Sequence, residues 1–504
     1  HSTSRRQRQM CIRDRPGIDP VYYCYSRGNI LVVSQDGNQR LKDEWTFYGY
    51  DQLYRPAIEA VLYRPGVTLE TMRESWSNQT NVYAFDSKAS GTRYGYRVPS
   101  ATTLPAECIT AVVYYDSYNF LDQFPQHRDS LAYTDVKGMD RRYSATETGE
   151  GMIAGGSVTG RAIRVLGDTT MLVSATYYDW NGQPVQEIES NHIGGYTRRF
   201  FCRDRDGKPV TIRQDLSTRW DSHTDVYRYT YDHARRPLSL TLQHDGDPAR
   251  ILQKWNYDDL GRLQSTTLGD NVTTVNYQYN IQNSLTSISS TQFSQQLHYD
   301  KISPGMTRCL NGNIAGMTWN APDNNSTLPH PHSQIKRGYA FKYDDYNRLV
   351  NARYINSENS DIIPDISVYN PSRNYTSSYT YDLNGNPLTV SAKGLTDRRI
   401  GVGNRETLSF GTVKQMEITR HGNQIATVTD GQSVTTDIDR TLATVDNASA
   451  AAESDDGEAP DGLFVYDANG NIIHDGYRDV DISYNHLNRP VNILSLIHIS
   501  EPTR

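Results

Sequence analysis

Apolar and polar residues alternate over short runs along most of this chain, as in Tyr229-Thr-Tyr231 and Leu238-Ser-Leu-Thr-Leu242. Alternation with period two puts successive side chains on opposite faces of a strand. Long helical heptad patterns are absent, which argues against a helix-rich fold. Each alternating run stops at an Asp, Asn or Gly, so the pattern predicts many short strands joined by tight turns.

The breaks recur in a fixed form, aromatic-x-Tyr-Asp-x-x-Gly/Asn-Arg/Asn-Leu/Pro. Clear copies are Tyr229-Thr-Tyr231-Asp232 with Arg236-Pro237, Trp255-Asn-Tyr257-Asp258 with Gly261-Arg262-Leu263, and Phe341-Lys-Tyr343-Asp344 with Asn347-Arg348-Leu349. Others are Tyr379-Thr-Tyr381-Asp382 with Gly385-Asn386-Pro387, Phe464-Val-Tyr466-Asp467 with Gly470-Asn471-Ile472, and Ile482-Ser-Tyr484-Asn485 with Asn488-Arg489-Pro490. Upstream stand Tyr48-Gly-Tyr50-Asp51 with Arg55-Pro56, and Tyr178-Asp179 with Gly182-Gln183-Pro184. Weaker copies run through Arg203-Asp204 with Gly207-Lys208-Pro209, and through Tyr277-Gln-Tyr279-Asn280.

The chemistry of the unit explains its order. Two aromatic residues two apart share one face of a strand. The Asp behind them accepts backbone N–H bonds and starts a turn. A Gly or Asn three residues later tolerates positive φ and closes it. Each unit therefore reads strand, turn, strand over about twenty residues, and one such hairpin is marginal in water until neighbours stack on it.

On these residues the chain resembles the RHS/YD-repeat proteins, and most closely their large, divergent Bacteroidetes kind. There, segments like Gln35-Asp36-Gly37-Asn38, Asn191-His192-Ile193-Gly194-Gly195 and Leu310-Asn311-Gly312-Asn313-Ile314-Ala315 also occur. The resemblance spans residues 21–493 and implies an all-β fold: antiparallel hairpins winding into a curved spiral sheet, part of a hollow shell. It also implies a secreted or cell-surface protein whose shell encloses a C-terminal effector or cargo. In the family a self-cleaving core with aspartates follows the last repeat. Nothing in this chain matches that segment, so no catalytic residue is carried over.

The repeats divide the chain. Residues 16–59 read as degenerate repeats, 60–176 as a divergent or inserted region keeping only Tyr114-Tyr115-Asp116, and 177–300 as regular repeats. Residues 301–338 read as a connection containing a proline-rich loop, and 339–394 as repeats with an excursion at 356–373. Residues 395–462 read as a degenerate repeat around Ile418-Thr-Arg-His-Gly422-Asn423 plus an acidic loop, and 463–493 as repeats again. The two ends read differently. Met10-Cys11-Ile12-Arg13-Asp14 is encodable by ATGTGTATAAGAGACAG, whose reverse complement encodes Leu494-Ser-Leu-Ile-His498. Residues 1–15 and 494–504 are therefore expected to be translated sequencing-adapter sequence, not a basic nucleic-acid-binding arm, with further chain beyond both ends of the insert. A partial spiral is expected to leave strand edges unpaired and to be poorly soluble alone.

Composition narrows function more than it names it. Tyrosine outnumbers phenylalanine 36 to 10, which suits sheets whose rings pack while their hydroxyls reach water or a partner. The net charge is −7; the first fifteen residues hold five arginines and one aspartate, a net +4, so the rest carries −11. That balance predicts no nucleic-acid partner. No apolar run approaches the roughly 20 residues of a membrane-spanning helix. Outside the ends, Cys24, Cys108, Cys202 and Cys309 lack disulfide-scaffold or zinc spacing.

Candidate chemistry is thin. His330-Pro331-His332, with Cys309 not far off in sequence, is read as a solvated loop in preference to half a metal site. Gly401-Val-Gly403 lacks the third glycine of a dinucleotide loop and reads as a turn. Asp232, Asp258, Asp344, Asp382 and Asp467 could in principle pair as acid and base, but their identical place in each repeat predicts a turn role. Asn78 and Asn271 fit a glycosylation pattern, discounted for a bacterial protein. No catalytic, cofactor or metal residue is assigned, and no enzyme activity is expected. The rival reading is a carbohydrate-binding or adhesion module that stacks cell-surface glycans on exposed tyrosines.

Overall fold

The computed structural model describes residues 12–15, 17–26, 28–77, 79–98, 104–142, 155–300, 306–320, 336–357, 375–400, 406–431 and 463–495. The fold is all-β, built of successive antiparallel hairpins. The chain divides into two compact units, one mainly Pro20–Asn256 and the other mainly Thr273–Arg504.

In the first unit each strand pairs antiparallel with the next in sequence. Leu31–Gln35, Glu44–Tyr50, Pro56–Tyr63, Ile109–Tyr115, Val158–Arg164 and Met171–Tyr178 lead the ladder. Pro184–Ser190, Tyr196–Arg203, Pro209–Ser217, Ser222–Tyr231, Pro237–His244 and Arg250–Tyr257 continue it. The region read from sequence as divergent, 60–176, thus belongs to the same sheet. Its inserted segments leave the ladder after Tyr63 and after Tyr115 and return to it in register.

Those segments supply a cover. The helix Leu69–Ser77 and the short turn Asn119–Gln123 lay aromatic side chains on one face of the sheet, and the turn Arg128–Leu131 adds the buried Leu131. Phe120 stacks on Tyr114 with centroids 4.6 Å apart, Tyr118 on Tyr177 at 4.4 Å, and Trp76 meets Phe47 at 5.7 Å. Gly160 lies under the Phe120 ring, where a Cβ would sit 2.1 Å from Cζ. Beneath this cover Met171–Tyr178 alternates buried and half-buried residues without a break. Further along, Pro209–Ser217 is half-buried at every position.

The second unit repeats the ladder, and among its described residues no helix lies on the sheet. Thr273–Tyr279, Leu285–Ser289, Ser294–His298, Gly316–Asn320, Lys336–Tyr343, Leu349–Ser357 and Ser377–Tyr381 pair in sequence order. Pro387–Ile400, Glu406–His421 and Gln424–Asp430 follow. A separate four-stranded sheet holds Phe464–Tyr466, Ile472–Asp475, Val480–Tyr484 and Pro490–Ser495. Two sequence expectations are refined here. The connection 301–338 contains the strand Gly316–Asn320, paired on both sides, and the stretch after 394 forms the longest hairpin although its repeat signature is worn. Backbone pairing needs no particular side chain, so strands persist where the motif has decayed.

A shift in strand register accompanies the signature. It falls at Gly49/Tyr50, Tyr177/Tyr178, Thr230/Tyr231, Gln278/Tyr279, Lys342/Tyr343, Thr380/Tyr381 and Ser483/Tyr484. A bulge there bends and twists the strand as it enters the turn. Because each repeat adds two strands, the Tyr-Asp turns within a unit gather on one edge of its sheet.

Candidate functional site

The turn at Asp258 shows how local chemistry builds that edge. Asp258 Oδ1 accepts the N–H of Leu260 at 3.0 Å and of Arg262 at 2.9 Å. The Asp258 N–H donates to the Arg262 carbonyl, and the Gly261 N–H donates to the Asp258 carbonyl. Closing so short a loop requires a left-handed residue, and Gly261 has φ 82°. Asp344, Asp382, Asp467, Asn280 and Asn485 accept the same two N–H bonds in their own turns. Asn347, Gly385, Gly470, Asn283 and Asn488 take the left-handed place. At Asp232 that place falls to Arg235, φ 64°, whose guanidinium reaches Asp204 at 2.8 Å.

The residue after the left-handed one joins turn to turn. Arg262 Nε donates to Asp258 Oδ2 at 2.7 Å, and its guanidinium lies over the Tyr279 ring of the next repeat, 4.9 Å from the centroid. Arg348 pairs with Asp344 and covers Tyr381 in the same way, also at 4.9 Å. Its Nη1 reaches on to the Asp382 carbonyl at 2.7 Å. The ring so covered points its hydroxyl back. Tyr279 donates to the Leu263 carbonyl at 3.0 Å, Tyr381 to Leu349 at 2.7 Å, and Tyr231 to Pro209 at 2.8 Å. Tyr343 donates to Ile314, Tyr299 to Leu285, Tyr484 to Ile472 and Tyr115 to Pro56.

At Asp51, Asp204, Asp258 and Asp344 the junction is therefore a triad: an aspartate that caps its turn, a bridging Arg55, Lys208, Arg262 or Arg348, and the next repeat's tyrosine, bound at ring and hydroxyl. At Asp382 and Asp467 an asparagine takes the basic place. A hydroxyl bond of this kind contributes about 0.5–1.5 kcal/mol, and an exposed i,i+4 ion pair less. Repetition gives the set its weight. Where the motif is worn, Arg420 Nε stands in for the hydroxyl and donates to the Pro387 carbonyl at 3.5 Å.

Electrostatics agree with a structural role. Partial burial opposes charge on Asp258, but the Arg262 guanidinium and backbone N–H outweigh it and hold the carboxyl below its usual range. Asp232 and Asp344 follow the same balance, and at Asp382 the Asn386 amide leads. These directions keep the aspartates ionised at neutral pH, the state in which they accept four-residue turn bonds. Burial pushes the phenols of Tyr231, Tyr381 and Tyr484 up, so they remain donors.

Each of the five repeat aspartates, Asp232, Asp258, Asp344, Asp382 and Asp467, thus caps its own turn. His330, His332, Gly401, Gly403 and Asn78 lie outside the described residues. Cys309 is a free, half-buried thiol, as are Cys108 and Cys202, while Cys24 is buried. Asn271 is exposed at a left-handed turn position. The tips of the turns carry exposed apolar side chains, among them Trp180, Leu260, Ile281, Tyr346 and Leu383. Sequence reasoning missed one group: His223, His244 and Asp245, which strand register brings together at the far edge of a hairpin. Among the described residues no helix is long and apolar enough to cross a membrane.

No protein-family model matches the sequence, and no curated protein matches it. Solved structures do. The chain is similar to chains in the crystal structures of TcdB2-TccC3-Cdc42 and TcdB2-TccC3-TEV, and in the Photorhabdus luminescens Tc holotoxin pore carrying a TccC3 mutation. Identity is 11%, 96% of this chain is covered, and the TM-scores are 0.52, 0.51 and 0.52 respectively. The chain spans 18% of the length of each of those chains. At this identity the likeness is one of fold, and it is that of an RHS-like β-shell.

Proposed function

We propose that this chain is a segment of shell wall in a secreted or surface-exposed protein, and that the wall encloses or presents a C-terminal effector of the same polypeptide. The observation that carries the reading is the recurrence of junctions in which one repeat's tyrosine hydroxyl ends on a backbone carbonyl of the repeat before it. Such an array builds extended surface from small units. The fold likeness to toxin-complex chains over nearly the whole chain supports it. In this reading the segment performs no chemistry of its own: its aspartates are consumed by turns and its ladder tyrosines by neighbouring carbonyls.

The test is imaging of the longer polypeptide that carries this segment, combined with protease protection. A hollow wall with an enclosed C-terminal domain that resists protease until the wall is opened is the expected result. A filled globule, an extended thread, or a C-terminal domain cleaved as fast as a free one would overturn the reading. Glycan-array binding provides the contrasting arm. Binding abolished by Trp180→Ala or Tyr346→Ala, with the fold intact, would replace the wall by an adhesion module.

A further inference from the structure

The hairpin of Ser222–Tyr231 and Pro237–His244 has a Tyr-Asp turn at one end and a cluster of imidazoles and carboxylates at the other. Asp225 pairs with His244 in register. One step beyond, the Asp245 N–H donates to the Thr224 carbonyl, and Asp245 adopts a left-handed φ of 46°. That turn brings its carboxylate back over the hairpin, where Oδ1 accepts the Thr224 N–H at 2.6 Å. Asp245 Oδ2 then lies 2.8 Å from His223 Nδ1 and 3.3 Å from His244 Nε2. The two rings are stacked, with centroids 5.4 Å apart and planes 25° apart.

The ligand atoms of His223, His244 and Asp245 lie within 4.8 Å of one another. Donors that share one tetrahedral ion at about 2.0–2.2 Å stand roughly 3.4 Å apart, so His223 and Asp245 would open from their direct contact while the widest pair closes. A second, independent feature is the outer layer. His244 turns Nδ1 to Asp225 Oδ1 at 2.7 Å, and His223 turns Nε2 to Asp221 Oδ2 at 3.3 Å. Each imidazole thus has its outer nitrogen on Asp221 or Asp225 and its inner nitrogen on the shared Asp245. An outer carboxylate of that kind orients the ring of a metal-ligating histidine. Neutral imidazoles would leave three carboxylates, Asp221, Asp225 and Asp245, around the centre, a field that draws a cation.

We propose that His223, His244 and Asp245 bind a divalent transition-metal ion, with zinc the best match, as a clip across the open end of this hairpin. Two imidazoles and one carboxylate favour zinc-class ions over calcium or magnesium, which take all-oxygen shells. The clip sits at the end of the hairpin opposite its Tyr-Asp turn, at Asp232.

The experiment is zinc titration of the full chain by calorimetry, with the thermal midpoint followed in parallel. One zinc is expected to bind in a manner that calcium and magnesium do not displace, and to raise the midpoint. His223→Ala and His244→Ala are each expected to weaken that site at least tenfold. Asp225→Asn, a positioning change, should weaken it about 10–100-fold. A His330→Ala/His332→Ala variant should leave it intact. The zinc-free melting of each variant checks that it is folded, and His244→Gln, which keeps a polar group facing Asp225, serves if His244→Ala is not. No binding by the folded wild-type chain, or binding unchanged in both single-histidine variants, would overturn the proposal and leave a cluster of histidine–aspartate pairs.

Discussion

Two stretches of the same ladder solve the problem of stability by different means. Between Leu31 and Phe200 inserted segments roof the sheet, and Trp45, Phe47, Tyr114, Phe120, Tyr177 and Ile188 are wholly or almost wholly buried. From Pro209 to Tyr279 strands run on with almost every residue half-buried or exposed, and Ser265 and Thr266 are the buried exceptions. The roofed stretch rests on apolar burial, the dominant favourable term in folding. The bare stretch rests on its edge, where Asp232, Asp258 and their partners repeat a modest set of polar contacts. The same strand-turn-strand unit therefore tolerates two energetic regimes, and the junction chemistry matters most where the roof is missing.

The largest expected effect lies under the roof. Phe120→Ala removes a fully buried ring stacked on Tyr114 and should cost about 3–5 kcal/mol. Leu242→Ala, on a half-buried position of the bare stretch, should cost well under that. Urea unfolding of the two variants decides it, and equal losses would erase the contrast.

Next comes the turn backbone. Gly261→Val places a β-branched residue at a left-handed position and should cost on the order of 1–3 kcal/mol. Gly261→Asn should cost less, because Asn347 and Asn488 hold the same position at φ 64° and 55°. If asparagine and valine proved equally damaging, conformation would not be the cause.

A smaller loss is expected from single hydroxyls. Tyr381→Phe removes the bond to the Leu349 carbonyl and should cost about 0.5–1.5 kcal/mol. Tyr177→Phe strips its bond from the Leu131 carbonyl in a buried setting and should fall at the upper end. A neutral Tyr381→Phe would show that the ring's cover by Arg348, and not the hydroxyl, joins those repeats.

The mildest probe is acid. Asp232, Asp258, Asp344 and Asp382 have folded-state values depressed below the ordinary one. Their contribution is complete above about pH 4, the usual aspartate value, and is lost as pH falls through the depressed range. Aromatic burial does not titrate there. Limited pepsin digestion, mapped by mass at stepwise lower pH, should therefore open the bare strands before the roofed ones. Simultaneous cleavage in both would mean that the turn carboxylates set stability everywhere.

The turns were legible in the sequence because their chemistry is local. An aspartate, two intervening residues and a glycine or asparagine contain the whole instruction, and even the weak copies at Asp204 and Asn280 obey it. Arg235 and Tyr54 at the left-handed place are recognisable only by their frame within the repeat. The roof was not legible, since the segments from 64 to 108 and from 116 to 157 carry no period, and only the folded sheet shows that Phe120 meets Gly160. The tyrosine's acceptor is a backbone carbonyl, which leaves no mark in the sequence. The group at His223, His244 and Asp245 depends on strand register, which side-chain identity alone does not fix.

The way each tyrosine hydroxyl ends on a carbonyl has a consequence for how such a gene can change. A carbonyl is the same in proline, leucine and isoleucine, so the donor accepts Pro209, Leu263 or Ile314 alike. The contact also ignores distance along the chain: 12 residues separate Tyr484 from Ile472, and 59 separate Tyr115 from Pro56. Unequal crossing-over between any two Tyr-Asp codons would splice a donor to a usable acceptor. Whole repeats can then be gained or lost, and long passengers inserted between junctions, without a compensating substitution elsewhere.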